Sequence, residues 1–213
     1  MNFESSYDKG SIEHKLQPPG GRDLSSYETQ LLFDRQELEG KKVLDLGAGP
    51  ELKFAKELEI SGIRADVTSL SPDFSETNYA EKAKESYPEG KLTAGVGQAL
   101  PFQNESFDRI FAFHVDEHLS RPSFMGFISE MARVLKKDGE AKLGPTLNIP
   151  GEWNPYQAVL DDKDLSKSLL DYGVDVVQEP IPENIMPKTG IKDSYGNRFE
   201  ESSYNIVLRK NKA

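Results

Sequence analysis

Val43-Leu-Asp-Leu-Gly-Ala-Gly49 is an apolar run that stops on an acid and turns on two glycines, and Leu52–Leu58 follows with helix-like spacing. The pattern predicts a β-strand, a tight turn and a helix N-terminus. Backbone N–H groups at such a turn are free to meet a polar or anionic ligand group. Glycine is needed there because a Cβ would collide with the ligand or forbid positive φ. A βα turn with two glycines also occurs where nothing binds, so its meaning depends on its surroundings.

Working outward, strand-like and helix-like segments alternate. Lys42–Leu46 reads as the first strand and 51–60 as a helix with Phe54, Ala55 and Leu58 inward. Ile63–Leu70 reads as the second strand, closed by Ser71-Pro72, followed by a polar helix over 75–86 and a strand over 91–96. Phe107–Phe113 is the fourth strand. The spacing predicts a helix over 122–137: Pro122 suits its first turn, and Phe124, Phe127, Ile128, Met131, Val134 and Leu135 recur every three or four residues. Asp138-Gly139 ends it, and Ala141–Leu147 is the fifth strand. Asp164–Asp171 reads as helical, and Val174–Gln178 and Tyr204–Arg209 as two closing strands with a long loop between.

Upstream, Ser25-Ser26 reads as the cap of a helix over 27–38 carrying Leu31, Leu32 and Leu38. Residues 1–25, with Gln17-Pro18-Pro19-Gly20-Gly21 at their centre, read as a loose N-terminal arm. It is either a disordered tail or a lid, the latter suggested by Tyr7, His14 and Tyr27. Residues 26–213 then form one domain. Strands separated by helices predict an α/β doubly wound, mostly parallel sheet covered on both faces. Ligands of such sheets sit beyond the strands' carboxyl ends at the topological switch point. The glycine turn, Ser69-Leu70, Gly97–Leu100 and His114–His118 all belong there.

A length of 213 residues suits one α/β domain, large enough to bury a core without disulfides or structural metal. The chain has no cysteine, which excludes disulfides, thiolate metal sites and cysteine nucleophiles. No apolar run reaches membrane-spanning length, and Met1-Asn2-Phe3-Glu4 lacks the basic and apolar regions of a signal peptide. A soluble, cytoplasmic protein is the expectation. The formal charge is −10, and no Lys/Arg block stands out beyond Lys136-Lys137 and the tail around Arg209-Lys210-Lys212. Affinity for nucleic acid comes largely from neutralised phosphates, so this balance argues against DNA or RNA and for a small-molecule or protein substrate.

Four stretches, in order, now resemble one family. They are Val43-Leu-Asp-Leu-Gly-Ala-Gly-Pro50, Ser69-Leu-Ser-Pro72, Ala99-Leu-Pro-Phe-Gln-Asn-Glu-Ser-Phe-Asp108, and Glu117-His-Leu119 with Ala132-Arg-Val-Leu-Lys-Lys-Asp-Gly139. Together, over residues 27–146, they resemble the class I S-adenosylmethionine-dependent methyltransferases, the small type-11-like members in particular. The resemblance implies a Rossmann-like sheet of seven strands with an antiparallel final strand, S-adenosyl-L-methionine as cofactor, and a small molecule or peptide side chain as methyl acceptor.

By the same resemblance, Asp45 orients the glycine loop or reaches the cofactor's amino group through water, and a plain turn-capping role is the alternative. Gly47, Ala48 and Gly49 let the backbone approach the methionine part. Ser69 and Leu70 flank the ribose. Gln98, Ala99 and Leu100 frame the adenine edge, mainly through backbone groups. Three departures stand out. Pro50-Glu51 occupies the place of a third glycine, Ser69 that of the acid which binds both ribose hydroxyls, and Val96 that of an aspartate near the adenine, with Gln98 close by. A lone hydroxyl contacts a ribose more weakly than a carboxylate, which leaves room for a non-catalytic scaffold that binds a nucleoside or a protein partner. A nucleotide-sugar or nicotinamide enzyme is disfavoured, because "GAG" lacks the spaced third glycine and no acid ends the second strand.

His114-Val-Asp-Glu-His118 holds two of the three histidines. It admits three readings: a metal site, a general base at His114, or a helix brace at Glu117-His118 with His114 lining the pocket. No further ligands cluster nearby, so no metal is expected. Methyl transfer from a sulfonium needs little beyond alignment and desolvation when the acceptor is already nucleophilic, so a catalytic residue is optional. The aromatics of 147–160, Trp153 and Tyr156, read as acceptor contacts or as pins of a surface loop.

Overall fold

The structure, a computed structural model, describes residues 23–148, 153–186 and 202–211. The N-terminal arm, as lid or tail, lies outside the described residues up to position 22. The elements run in the order α1 (Leu24–Leu31), β1 (Lys42–Leu46), α2 (Lys53–Ile60), β2 (Asp66–Ser71), α3 (Thr77–Ser86), β3 (Lys91–Ala94) and β4 (Phe107–Phe113). Then follow α4 (Arg121–Val134), β5 (Leu135–Asn148), α5 (Pro155–Asp161), α6 (Lys163–Asp171), β6 (Val174–Pro180) and β7 (Ser202–Lys210).

One seven-stranded sheet has the order β3-β2-β1-β4-β5-β7-β6. Strand β7 runs antiparallel to both its neighbours, and the pairings among β1 to β5 are parallel. The expected sheet is present. The chain winds outward from β1 to β3 and then crosses back to β4, so the switch point lies between β1 and β4.

Strand β4 shows why both faces are covered. Its side chains alternate: Ile110 and Ala112 join the core under α4 and α6, while Phe111 and Phe113 join Tyr27, Leu31, Phe54 and Leu58 under α1 and α2. The α4 stripe read from spacing, Phe124, Phe127, Ile128, Met131 and Val134, is buried in the first of these cores.

Several boundaries differ from expectation. The helix expected over 27–38 is two pieces. Asp23, not Ser25-Ser26, caps α1 by accepting from the Ser26 N–H at 2.7 Å, and Leu32 ends it with φ 54°. Arg35–Leu38 is a separate 3₁₀ turn, tied back where the Arg35 Nε donates to Glu28 Oε1 at 2.8 Å. Strand β2 begins at Asp66 rather than Ile63, because Gly62 (φ 82°) turns the chain first. Helix α4 passes at Val134 directly into β5, whose pairing with β4 shifts register between Phe107 and Arg109. Helix α5, inside a segment read as loop, is capped by Asn154, which accepts from the Gln157 N–H at 3.0 Å.

Two buried lysines act as helix caps. The last carbonyls of a helix lack intrahelical donors and carry its negative pole, so a cation there is doubly favoured. The Lys142 Nζ, on β5, donates to Leu32 O at 2.7 Å and to Glu179 at 2.9 Å. Beside it the Asn205 Nδ2, on β7, donates to Gln30 O at 2.9 Å, so strands hold the end of α1. Lys210 serves α4, donating to Leu135 O at 3.0 Å, with Glu105 at 3.2 Å and the Tyr172 ring at 5.4 Å. Replacing Lys210 with methionine keeps most of the volume but strands the buried carbonyl. A loss of about 1–3 kcal/mol is expected, read as an earlier midpoint in urea unfolding, and an unchanged midpoint would contradict the capping role.

Candidate functional site

A cavity of about 610 Å³ opens at the carboxyl ends of β1, β2 and β4. Its walls are the glycine turn (Gly47, Gly49, Pro50), the end of β2 (Leu70 to Asp73), Val96 to Gln98, and His114, Val115, His118 and Leu119, closed by Tyr79 and Phe127. A second hollow of about 500 Å³ lies between Leu58, Arg64 and Tyr87, away from the switch point.

Gly47 and Gly49 adopt φ 77° and 68°, the left-handed region that only glycine enters without strain. The Gly47 N–H donates to Leu70 O at 2.8 Å, which fastens the turn to the end of β2. The helix after the turn starts later than expected. Leu52, at φ 48°, precedes it without a side-chain cap, and α2 begins at Lys53. The first residues of α2 therefore do not line the cavity, whose wall here stops at Pro50.

Asp45 is fully buried below the turn, where it accepts a hydrogen bond from the Tyr27 hydroxyl at 2.8 Å. Ala48 packs inward with Leu52, Phe74 and Ala83. Neither is among the lining residues. On β2 the parallel register sets Ser69 beside Asp45 and Leu70 beside Leu46. Ser69 is buried one level below the cavity, and Leu70 lines it. Residues two apart share a strand face, so Ser71 is the serine that reaches the rim. A 3₁₀ turn over Pro72–Ser75 brings Asp73 there as well, its N–H donating to Ser71 Oγ at 3.3 Å.

The opposite wall is a helix-free connection from β3 to β4. Gln98 lines the cavity, Ala99 is exposed with its N–H on Val96 O at 3.1 Å, and Leu100 is buried with its N–H on Glu130 Oε2 at 2.7 Å. Helix α4 fixes this connection through Glu130 and Arg133. Arg133 donates to Leu100 O (3.0 Å), Phe102 O (2.8 Å) and Asn104 Oδ1 (2.9 Å), and it forks onto Glu130 (2.6 and 2.7 Å). Gly97 leans on the Phe127 ring so closely that a Cβ there would overlap the ring edge.

His114 lines the cavity with φ 54°, a conformation that histidine enters more readily than most side chains. Its N–H donates to Gly144 O at 3.0 Å, and its ring meets Phe113 edge-on at 4.5 Å. His118 also faces the cavity, but Asp116 turns away and accepts from the Thr146 hydroxyl at 2.9 Å. Among the described residues no three His, Asp or Glu side chains are grouped to hold a metal ion. Trp153 meets Phe124 edge-on at 5.3 Å. Tyr156 meets Tyr204 at 6.4 Å, and burial, with Asp116 nearby, pushes the Tyr204 phenol up to about 12, so it is neutral at physiological pH.

Residues 44–142 match the family model described as a methyltransferase domain. That stretch, a little under half of the chain, is similar to a methyltransferase domain. Over 108 residues it is 34% identical to an uncharacterized methyltransferase of Mycobacterium marinum, a stretch that is 51% of this chain and 40% of that relative, so the chain spans well under two thirds of the curated relatives it matches. Its fold is similar to that of a SAM-dependent methyltransferase of Methanosarcina mazei (18% identity, TM-score 0.51, 82% of this chain and 94% of the other). It is also similar to geranyl diphosphate C-methyltransferase of Streptomyces coelicolor A3(2), whose structure holds Mg²⁺, geranyl diphosphate and S-adenosyl-L-homocysteine (10% identity, TM-score 0.55, 87% and 77%).

The matched segment runs from β1 into β5 and contains every lining residue. Of the residues singled out from the sequence, Gly47, Gly49, Leu70, Gln98 and His114 meet in the cavity, while Asp45, Ala48, Ser69, Ala99 and Leu100 lie outside its lining. Sequence reasoning passed over Ser71, Asp73, Tyr79 and Arg133. The acid in Ser71-Pro-Asp73 was the available signal for the β2 end, and Glu130-x-x-Arg133 at helical spacing was that for the clamp. No helix among the described residues is long and apolar enough to cross a membrane.

Proposed function

We propose that this chain transfers a methyl group from S-adenosyl-L-methionine to a small molecule, or to a peptide side chain, by direct displacement. One observation carries the reading. The cavity at the switch point has positive-φ glycine backbone on one wall and an acid with a hydroxyl on the adjoining one. Its volume of about 610 Å³ lies within the usual range for sites that enclose a ligand of this size. The donor, when bound, supplies a sulfonium methyl already activated for displacement.

The chain's own residues bind, orient and exclude water. Gly47 and Gly49 let the backbone approach the amino-acid end of the donor, on a turn that Asp45 and Ala48 hold from below. Leu70, Ser71 and Asp73 face the ribose, with Ser69 behind them, and Asp73 supplies the carboxylate missing at Ser69. Gln98 and the backbone of Ala99 and Leu100 frame the adenine. His114 accepts the proton of a hydroxyl acceptor, and an amine acceptor needs only to arrive neutral.

Calorimetric titration with S-adenosyl-L-methionine and S-adenosyl-L-homocysteine, with NAD as control, tests it. Binding of both sulfur compounds is expected. Gly47→Val should abolish it, and Asp73→Asn should weaken it about tenfold, the scale of one charge-assisted hydrogen bond. No binding at millimolar concentration would refute the reading. Binding without turnover across an acceptor screen would favour the non-catalytic scaffold.

A further inference from the structure

Outside the cavity lining, a buried phenol–carboxylate pair joins the first helix to the glycine turn. Tyr27 of α1 and Asp45 of β1 are both fully buried, and the Tyr27 hydroxyl donates to Asp45 Oδ1 at 2.8 Å. The phenol has little freedom to swing away. Its ring stacks on Phe54 at 4.6 Å and 19°, and it touches Phe113 at 4.5 Å on the other side. The helix that carries it is fixed at both ends. The Leu24 N–H donates to Glu57 on α2 at 2.8 Å, and the C-terminal carbonyls are held by Asn205 and Lys142.

A carboxylate taken out of water must be held by donors, and a missing donor leaves it free to reorient or to draw in water. Asp45 stands two residues before Gly47, whose N–H fastens the turn to Leu70 O. Whatever fixes the Asp45 carboxylate therefore fixes the point from which the turn departs. We infer that Tyr27 is a positioning residue. Through the hydroxyl donated to Asp45 it holds the Gly47–Gly49 turn in its ligand-ready shape. The effect on S-adenosyl-compound binding rests on the function proposed above; the effect on the turn does not.

The test compares Tyr27→Phe, which keeps the ring contacts and deletes only the donor, with Leu31→Ala, which loosens the same helix and core away from the turn. Hydrogen exchange of the ligand-free proteins is followed at residues 45–50. Tyr27→Phe should speed exchange there about tenfold, the scale of one buried hydrogen bond, while Leu31→Ala leaves it at the wild-type rate once matched for melting temperature. The affinity for S-adenosyl-L-homocysteine should fall about tenfold in Tyr27→Phe. Asp45→Ala should weaken it too, and the double variant should be no worse than Asp45→Ala alone, because the two side chains act as one unit. Equal exchange in Tyr27→Phe and Leu31→Ala overturns the inference, as does full additivity of the two substitutions. If the wild-type protein binds no S-adenosyl-L-homocysteine, the proposed function falls, and the exchange comparison alone decides the role of Tyr27.

Discussion

Replacing Arg133 with methionine is expected to lower the unfolding free energy by about 3 kcal/mol and to weaken S-adenosyl-L-homocysteine binding at the same time, because it strips the donors from a half-buried carboxylate and two loop carbonyls at once. The guanidinium spans Glu130 and three acceptors between Leu100 and Asn104. No helix connects β3 to β4 to hold that segment otherwise. Lysine cannot substitute, since a single ammonium does not reproduce the planar fork. Arg133→Lys should recover less than half of the loss in a urea titration.

The pH dependence gives an independent reading of the same clamp. The Arg133 hydrogen bond holds the Glu130 carboxyl below its ordinary value of 4.5; burial opposes this and the Leu100 N–H assists it. A carboxyl whose folded pKa lies below the unfolded one stabilises the fold fully above the unfolded value. That contribution is lost as pH falls through the lowered folded value. The wild-type advantage over Arg133→Met should therefore be constant near neutrality and shrink progressively below pH 4.5. A gap that does not change with acidification would show that the pair contributes nothing in its charged form.

The second large effect is expected at Gly97. A methyl group there overlaps the Phe127 ring edge, and Phe127 is a fully buried member of the α4 core that also forms the cavity's inner wall. The ring cannot retreat into close-packed surroundings, so the 96–98 segment must move toward the cavity. Gly97→Ala should cost about 1–3 kcal/mol of stability, as overpacked sites do, and reduce S-adenosyl-L-homocysteine affinity by more than tenfold. Phe127→Leu removes Cε2, one of the two ring atoms in conflict, and leaves a shorter side chain free to rotate away from the new methyl. Combined with Gly97→Ala it should restore most of the binding, giving a double-mutant cycle far from additive. Additive effects would mean that Gly97 matters for some reason other than this contact.

Much of the fold could be read from the chain because its central strands are largely apolar segments followed by turn residues. Lys42–Leu46 and Phe107–Phe113 coincide with β1 and β4, since a strand buried on both faces has few other ways to use Phe-Asp-Arg-Ile-Phe-Ala-Phe. The misjudged boundaries are those where a tertiary partner decides. Leu135 continues as strand because Phe107 pairs with it, not because its own neighbours favour extension. Residues 155–161 form a helix of two turns around Asn154, too short for a periodic stripe to announce it. In the site, the glycine turn was legible since its chemistry is local. The end of β2 was not, because motif spacing sets Ser69 at the ribose position while the pleat and the 3₁₀ turn bring Ser71 and Asp73 to the cavity. Arg133 and Tyr27 act across about 30 and 20 positions of sequence, and spacing carries no record of such contacts.

The placement of β7 between β5 and β6 governs the order in which the molecule can be completed. Gln30 meets Asn205 across 175 positions, and Leu32 meets Lys142 across 110. During synthesis the first helix therefore emerges long before the groups that satisfy its terminal carbonyls. Until residues 202–210 insert into the sheet, the Gln30 carbonyl lacks its Asn205 donor, and Lys142 holds that end of the helix without it. Such distant closures are slow to form and leave sticky surface exposed in the interval. The first helix, though encoded early in the chain, thus gains its last terminal partner only when one of the latest strands arrives.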